Sequence, residues 1–383
     1  MKEVIVHPRP TLHTVIHDIP VPTPGPDGVV IEVSISFKRG TKLKATKNTD
    51  WLHITTQGLS VNSGDDIAGT ISALGANVEA TGEFSIGDRV AAFHPMLMPG
   101  GAYAEYATAP AHTVFKLPRG TSFEEAATIP LVTLTAALSL FRRQGLPPPW
   151  SPRTSSMEPV PLIIYGASSA LGSFAIKLAK IANIHPIIAI CGGSKNYVST
   201  LLDSAKGDTL VDYREGIDSM KAAVRVALGP LDAKHALDAI SANATWIPLS
   251  QMLSPSGSQM SVTSGGNKYD DAEIPAGVEI KYTYVGTAHY GAYKTGMPKQ
   301  PVDKESVEGD VEFAYLFVRY LSRLLAKGRF EGHPYEVIPG GLDGVARGLQ
   351  KLKNGEARGF NCHVIEGDTS FLKEASTKPI KIS

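Results

Sequence analysis

At 383 residues the chain is too long for one ordinary hydrophobic core and suits two domains, and 43% hydrophobic against 19% charged residues excludes wholesale disorder. Lysine plus arginine equals aspartate plus glutamate at 37 each, so no net field recruits nucleic acid, although a local phosphate pocket stays open. Met1-Lys2-Glu3-Val4-Ile5 lacks the apolar segment of a signal peptide and no run approaches the roughly 20 apolar residues of a membrane span, so a cytoplasmic protein without a membrane partner is expected.

The first segment alternates short apolar runs with turn residues, as in Gly28-Val29-Val30-Ile31-Glu32-Val33-Ser34-Ile35 and Ile67-Ala68-Gly69-Thr70-Ile71. Period-two alternation of this kind reads as strands, and Pro20, Pro22, Pro24 and Pro26 punctuate the entry to them. An antiparallel, partly barrel-like domain is expected. Ser122, with Glu124 and Glu125 in the following turn, reads as a helix start, since acids there complement the helix dipole. The run Pro147-Pro148-Pro149-Trp150-Ser151-Pro152 cannot continue a helix and reads as a surface excursion.

From Pro161 the pattern changes to strands separated by helical stretches. Leu162–Tyr165, Pro186–Ile190, Thr209–Asp212, His235–Ile240, Gln259–Val262 and Val278–Val285 are six strands, the number a doubly wound parallel sheet requires. The amphipathic stretch Phe313–Leu321 follows a polar loop, and Cys362–Ile365 reads as a last strand rejoining the first domain. No repeat of solenoid or propeller period is present.

The first of these strands runs into Gly166-Ala167-Ser168-Ser169-Ala170-Leu171-Gly172 and then a helical run from Ser173. Small residues let backbone approach a pyrophosphate, and the unpaired N–H groups and dipole of a helix N-terminus favour its charge. Ser169 stands where a glycine is common, so the strand, turn and helix context carries the reading rather than the glycines. An NAD site usually places an acid about 20 residues onward. Here the second strand ends in Cys191-Gly192-Gly193-Ser194-Lys195-Asn196: two hydrogen-bonding side chains flank a cation, which favours NADPH, and Tyr213 supplies a phenolic donor after the third strand. A lysine on a solvated loop is the plainer alternative.

These motifs resemble the medium-chain dehydrogenase/reductase superfamily over nearly the whole chain. Asp66–Ile71 resembles its D-x-A-G-x-V segment, Gly87–Val90 its G-D-R-V turn, Gly101–Tyr106 its G-x-[FY]-A-E-[FY] element, and Glu125–Pro130 with Thr135-Ala136-Ala137 the stretch opening its linking helix. The fold this implies is α/β: a discontinuous GroES-like β-rich catalytic domain, 1–135 and 297–383, plus a Rossmann doubly wound parallel sheet, 136–296. Zinc-dependent members bind metal through a cysteine and a histidine, but this chain has Ser36–Lys42 at the first place and Gly64-Asp65-Asp66 at the second, so no metal site is expected. Cys191 and Cys362 are the only cysteines and form no C-x-x-C pair, and His94 alone is better read as a structural histidine.

Within the superfamily, Thr41-Lys42, Gly145–Pro149 and His333-Pro334 with Pro339–Leu342 look most like fungal trans-acting enoyl reductases serving polyketide synthases. That resemblance implies hydride transfer from NADPH to the conjugated double bond of an enoyl or enone substrate, with Lys42 stabilising the carbonyl oxygen and Thr135 bordering the nicotinamide. A solvated lysine and a packed threonine are the alternatives. Ile240, Thr263 and Gly286-Thr287 are expected as the nicotinamide floor, and Asn361 is a further cofactor candidate in Arg358-Gly359-Phe360-Asn361, a stretch where family members carry a lysine near the cofactor. Lys38, Arg39, Lys42 and Lys44 are candidates to meet an acyl carrier protein. An NADPH:quinone oxidoreductase and a non-catalytic NADPH-binding protein are the rival readings. Monomer and homodimer both stay open, because Tyr290–Gly296 looks like an insertion after the last sheet strand.

Overall fold

The computed structural model describes residues 1–8, 11–38, 59–154, 156–292, 302–354, 356 and 361–365, with only the backbone for 34–38, 353 and 361–365. The first part is built on β1 (Lys2–His7), β2 (His13–Asp18), β3 (Gly28–Lys38), β4 (Asp66–Leu74), β5 (Arg89–Phe93), β6 (Tyr106–Pro110) and β7 (Val114–Lys116). β3 pairs antiparallel with β4 on one side and β6 on the other, and β5 joins β4 to β7, so the sheet curls into the expected partial barrel. Alternate residues of these strands point inward: Val29, Ile31, Ile67, Ile71, Val90 and Val114 share one buried cluster, as period-two patterning requires.

The second sheet runs β10 (Thr209–Asp212), β9 (Ile187–Cys191), β8 (Leu162–Tyr165), β11 (His235–Asp238), β12 (Ser258–Val262), β13 (Val278–Tyr282), all parallel. This is the doubly wound order, in which direction reverses beside β8 and leaves a crevice at the carboxyl edge. Its central strands are the most apolar because helices cover both faces there; β9 is buried at every position. The chain returns through β14 (Tyr335–Ile338) to β15 (Asn361–Ile365), which pairs with β3 of the barrel.

The helices are α1 (Ala76–Thr81), α2 (Phe123–Ala127), α3 (Pro130–Ala137), α4 (Ala170–Ile181), α5 (Lys195–Leu201), α6 (Ile217–Leu228), α7 (Trp246–Ser250), α8 (Lys304–Ala326) and α9 (Gly344–Lys353). α2 begins where the acids predict, with the Ser122 hydroxyl accepting from the Glu125 amide. α3 links barrel and sheet. Pro130 opens it, all eight residues are buried, and the Asp66 carboxylate accepts from the Leu131 amide at 2.7 Å, so a barrel strand caps the linking helix. The chain continues in wider π-type winding through Leu138–Arg143, where Arg142 and Arg143 both bind Asp310 of α8, a carboxylate with no exposure. Residues 331–333 form a second tie. The Gly332 amide donates to Glu125 and the His333 amide to Thr128 of the barrel side, while Lys177 of α4 donates to the Glu331 and Gly332 carbonyls. No helix among the described residues is long and apolar enough to cross a membrane.

Candidate active site

Register brings the candidate cofactor residues to one edge. Tyr165 lies beside Asp238, Asp238 beside Val262, and Val262 beside Tyr282, so the segments after β8, β11, β12 and β13 leave the sheet side by side. Gly166 turns away from β8 with φ +77°, a left-handed conformation, and a side chain there would meet Ile240 at 2.5 Å. Gly172 packs α4 against the turn: a Cβ would lie 2.4 Å from the Gly166 carbonyl. Between them Ser169 caps α4, its hydroxyl accepting from the Gly172 amide at 3.0 Å, and Ser168 stands half-buried. Ala170 and Leu171 form the first turn, so the amides of a twelve-residue helix point to the crevice. These features fit a dinucleotide pyrophosphate.

Asp238 organises the opposite wall. Fully buried, it accepts from the Ile240 and Ser241 amides and the Thr245 hydroxyl, and Ser241 then accepts from the Thr263 amide at 2.9 Å. Ile240 is thereby set against Gly166, with Thr263 on the neighbouring strand end. Sequence reading did not single out Asp238 or Ser241. The strained turn beyond them, with positive φ at Ser241, Asn243 and Ala244, is the feature their side chains support.

Ser194, Lys195 and Asn196 sit at the end of β9, Lys195 and Asn196 exposed. Tyr213 lies over Gly192, 3.0 Å from where a Cβ would stand, and its ring meets Tyr165 at 5.7 Å. Two charges missed from sequence join them. Asp212, at the end of β10, lies 3.5 Å from the Lys195 ammonium, and Arg214 forks onto it with contacts of 2.9 and 2.5 Å. The Arg214 hydrogen bonds hold the Asp212 carboxyl well below the usual carboxylate range. Cys191 beneath is a buried thiol, pushed up to about 11 by burial. Two cations against one anion leave a net positive corner beside exposed donors, which fits a 2′-phosphate.

Thr135 is buried, and its hydroxyl donates to the Leu131 carbonyl at 2.8 Å, leaving the oxygen as an acceptor only. Gly286 and Thr287 follow β13, but the Thr287 hydroxyl donates to the Tyr284 carbonyl and accepts from Arg143 at 3.4 Å, so it faces the arginine pair rather than the glycine turn. Asn361 opens β15, where only backbone is described. Lys42, with Arg39 and Lys44, lies outside the described residues. Asp65, at the position of the zinc family's histidine, and His94 sit on adjacent strand ends. Both His94 ring nitrogens lie against backbone carbonyls, of Thr108 at 2.7 Å and Met98 at 3.0 Å, so the ring serves the loop. Among the described residues no group of three or more His, Cys, Asp or Glu is placed to hold a metal ion.

A GroES-like barrel joined to a six-stranded dinucleotide sheet through a buried helix defines a medium-chain dehydrogenase/reductase, and the alcohol dehydrogenase GroES-like domain family matches residues 25–119. The chain is 35% identical to the trans-enoyl reductase fsr4 of Gibberella fujikuroi over 340 residues, covering 89% of this chain and 91% of that protein. It belongs to the trans-enoyl reductase family. Among solved structures the fold matches the CurK enoyl reductase (TM-score 0.67, 17% identity, 95% and 99% of the two chains covered). It also matches the Escherichia coli quinone oxidoreductase complexed with NADPH (TM-score 0.66, 17% identity, 96% and 100% covered).

Proposed function

We propose that this protein is an NADPH-dependent, zinc-independent enoyl reductase acting on a carrier-bound or free enoyl substrate in fungal polyketide biosynthesis. The observation that carries the reading is the union of trans-enoyl reductase membership with a glycine turn at a helix N-terminus and a net positive corner beside Lys195. In the overall reaction NADPH is oxidised to NADP⁺, a hydride goes to the β-carbon and a proton to the α-carbon of the conjugated carbonyl compound.

The chain's own residues then have separable tasks. Gly166–Gly172 and the first turn of α4 bind the pyrophosphate; Ser194, Lys195 and Arg214 bind the 2′-phosphate, with Tyr213 beside them. Ile240, Thr263 and Gly286 bound the nicotinamide, and the Thr135 oxygen accepts from its carboxamide or orients the substrate. Negative charge develops on the substrate carbonyl oxygen, and without a metal ion a positioned donor must stabilise it; Lys42 is assigned that task by family resemblance. Lys38, Arg39 and Lys44 offer charge to an acidic carrier protein.

The test is NADPH oxidation, with product analysis, against matched enoyl thioesters, free enones and quinones. Saturated thioester product supports the reading. Turnover of quinones alone selects a quinone oxidoreductase, and tight NADPH binding without oxidation of any acceptor selects a non-catalytic protein.

A further inference from the structure

A second compartment adjoins the Gly286 end of this site. A cavity of about 1040 Å³ runs from Gly286, His289 and His94 to the start of β3 and to α1, with Val29, Val78, Met96 and Met98 in its walls. This is at the upper end of the roughly 300–1,000 Å³ that take drug-sized ligands. Among the described residues its one cation is paired, Arg319 forking onto Glu83 at 2.9 Å twice, while the Asp27 carboxylate accepts from the neutral Asn77 amide at 2.8 Å. No cation in the wall is left to attract an anion.

His289 is the exception to this pairing. It is 6% exposed, packs against Phe93 at 4.6 Å and His112 at 5.6 Å, and neither ring nitrogen has a hydrogen-bond partner. His112 is already committed, its Nε2 lying 2.9 Å from the Ala288 carbonyl. Burial holds His289 well below the ordinary histidine range, so the ring is neutral and offers one N–H donor and one lone-pair acceptor. A buried polar atom left unpaired is costly, and native proteins rarely keep two on one side chain. The two nitrogens diverge, so a hydroxyl or secondary amide pairs with one of them, reached when the ring turns toward the cavity.

We propose that this cavity takes the distal, uncharged part of the substrate's acyl chain and that His289 hydrogen-bonds a hydroxyl or amide carried there, making it a specificity-determining residue. The proposal rests on the enoyl reductase reading, since Gly286 lies both in the cavity wall and among the residues assigned to the nicotinamide.

The experiment uses N-acetylcysteamine thioesters. For the wild-type protein, kcat/KM rises at least 10-fold from 2-butenoyl to 2-decenoyl, and again when the decenoyl chain carries a terminal hydroxyl. His289→Leu lowers the hydroxylated-to-plain ratio about 10-fold, and His289→Asn, which keeps a donor and an acceptor, restores part of it. Met98→Trp, at the exposed end of the cavity, lowers the decenoyl-to-butenoyl ratio and keeps the Met98 carbonyl against which the His94 ring lies. Equal kcat/KM for all three chains, or ratios unmoved by His289→Leu and Met98→Trp, overturns the proposal. If no enoyl thioester is reduced, the function reading fails by itself. Calorimetric binding of saturated decanoyl thioester without cofactor then decides the cavity: binding weakened by Met98→Trp upholds it, and no binding sinks it.

Discussion

The Lys195 ammonium stands 3.5 Å from the carboxylate of Asp212, a residue one strand further along the sheet. Linear sequence hides this meeting, because the β9–β10 register pairs Asp212 with Cys191 while residues 192–208, helix and turn, separate the two strands in the chain. Left to itself, Asp212 would cancel Lys195 and oppose a 2′-phosphate. Arg214, two residues on, tips the balance by binding the same carboxylate.

Arg214→Ala is therefore expected to raise the KM for NADPH about 10- to 100-fold, from a charge-assisted contact worth about 1.5–3 kcal/mol, with little change for NADH. Asp212→Asn should move the ratio of NADPH to NADH efficiency the other way. Steady-state kinetics with both cofactors checks the pair. An unchanged ratio in both variants removes this corner from cofactor choice.

What the sequence disclosed and concealed follows from the range of the interactions. The glycine turn, the capped start at Ser122, the six strands and the barrel strands rest on periodicity and local backbone demands, and each is legible within a window of a few residues. Arg214 was in view, directly after Tyr213, yet its role needed Asp212 and Lys195 in space. Asp238 reads as an interior residue of a strand His235–Ile240; the strand ends at Asp238, and only the turn it anchors shows why an acid is buried there. Thr287 is expected beside the nicotinamide from its place after β13; that its hydroxyl also meets Arg143, at the end of the π-type segment Leu138–Arg143, no local pattern encodes.

Lys42 is proposed for the chemistry on resemblance alone, so its variant separates function from binding. Lys42→Ala should lower kcat about 100-fold or more, the scale seen when one oxyanion-stabilising donor is lost, while NADPH affinity measured by fluorescence titration stays within about threefold. Turnover at the wild-type rate with an authentic enoyl substrate would remove Lys42 from the mechanism.

Asp310 locks the junction between the linking helix and α8. With no exposure and two guanidinium partners, its carboxyl is pushed up by burial but held below the usual range by the hydrogen bond and charge of Arg143 together with the hydrogen bonds of Thr287 and Arg142. Asp310→Ala leaves two cations facing an uncharged pocket, and a broken buried pair costs about 3–5 kcal/mol. Urea unfolding should show that loss as a lower midpoint with an unchanged slope. A loss below about 1 kcal/mol would mean that water already satisfies Arg142 and Arg143.

Acid should unfold the protein earlier than its carboxylates require. Burial lowers His333 to about 3 and His235 to about 4, so both stay neutral in the folded chain where the unfolded chain, near 6.5, takes up protons. The unfolded state then binds more protons between about pH 6.5 and 4, and stability falls as pH falls through that window; above about 6.5 neither state is protonated and the two groups contribute no slope. Each histidine contributes about 1.4 kcal/mol per pH unit inside the window. His333 is the sharper test, since its Nδ1 meets the Ser173 hydroxyl at 2.9 Å and its amide meets Thr128, tying α4 to α2. His333→Gln keeps a hydrogen-bonding side chain but cannot titrate. Urea midpoints measured at pH 7.5, 6.0, 5.0 and 4.5 should fall less steeply for that variant than for the wild type, with the two lines diverging only below about 6.5. Parallel lines through the whole range would mean that His333 takes up its proton without unfolding, and that segment 331–333 opens locally instead.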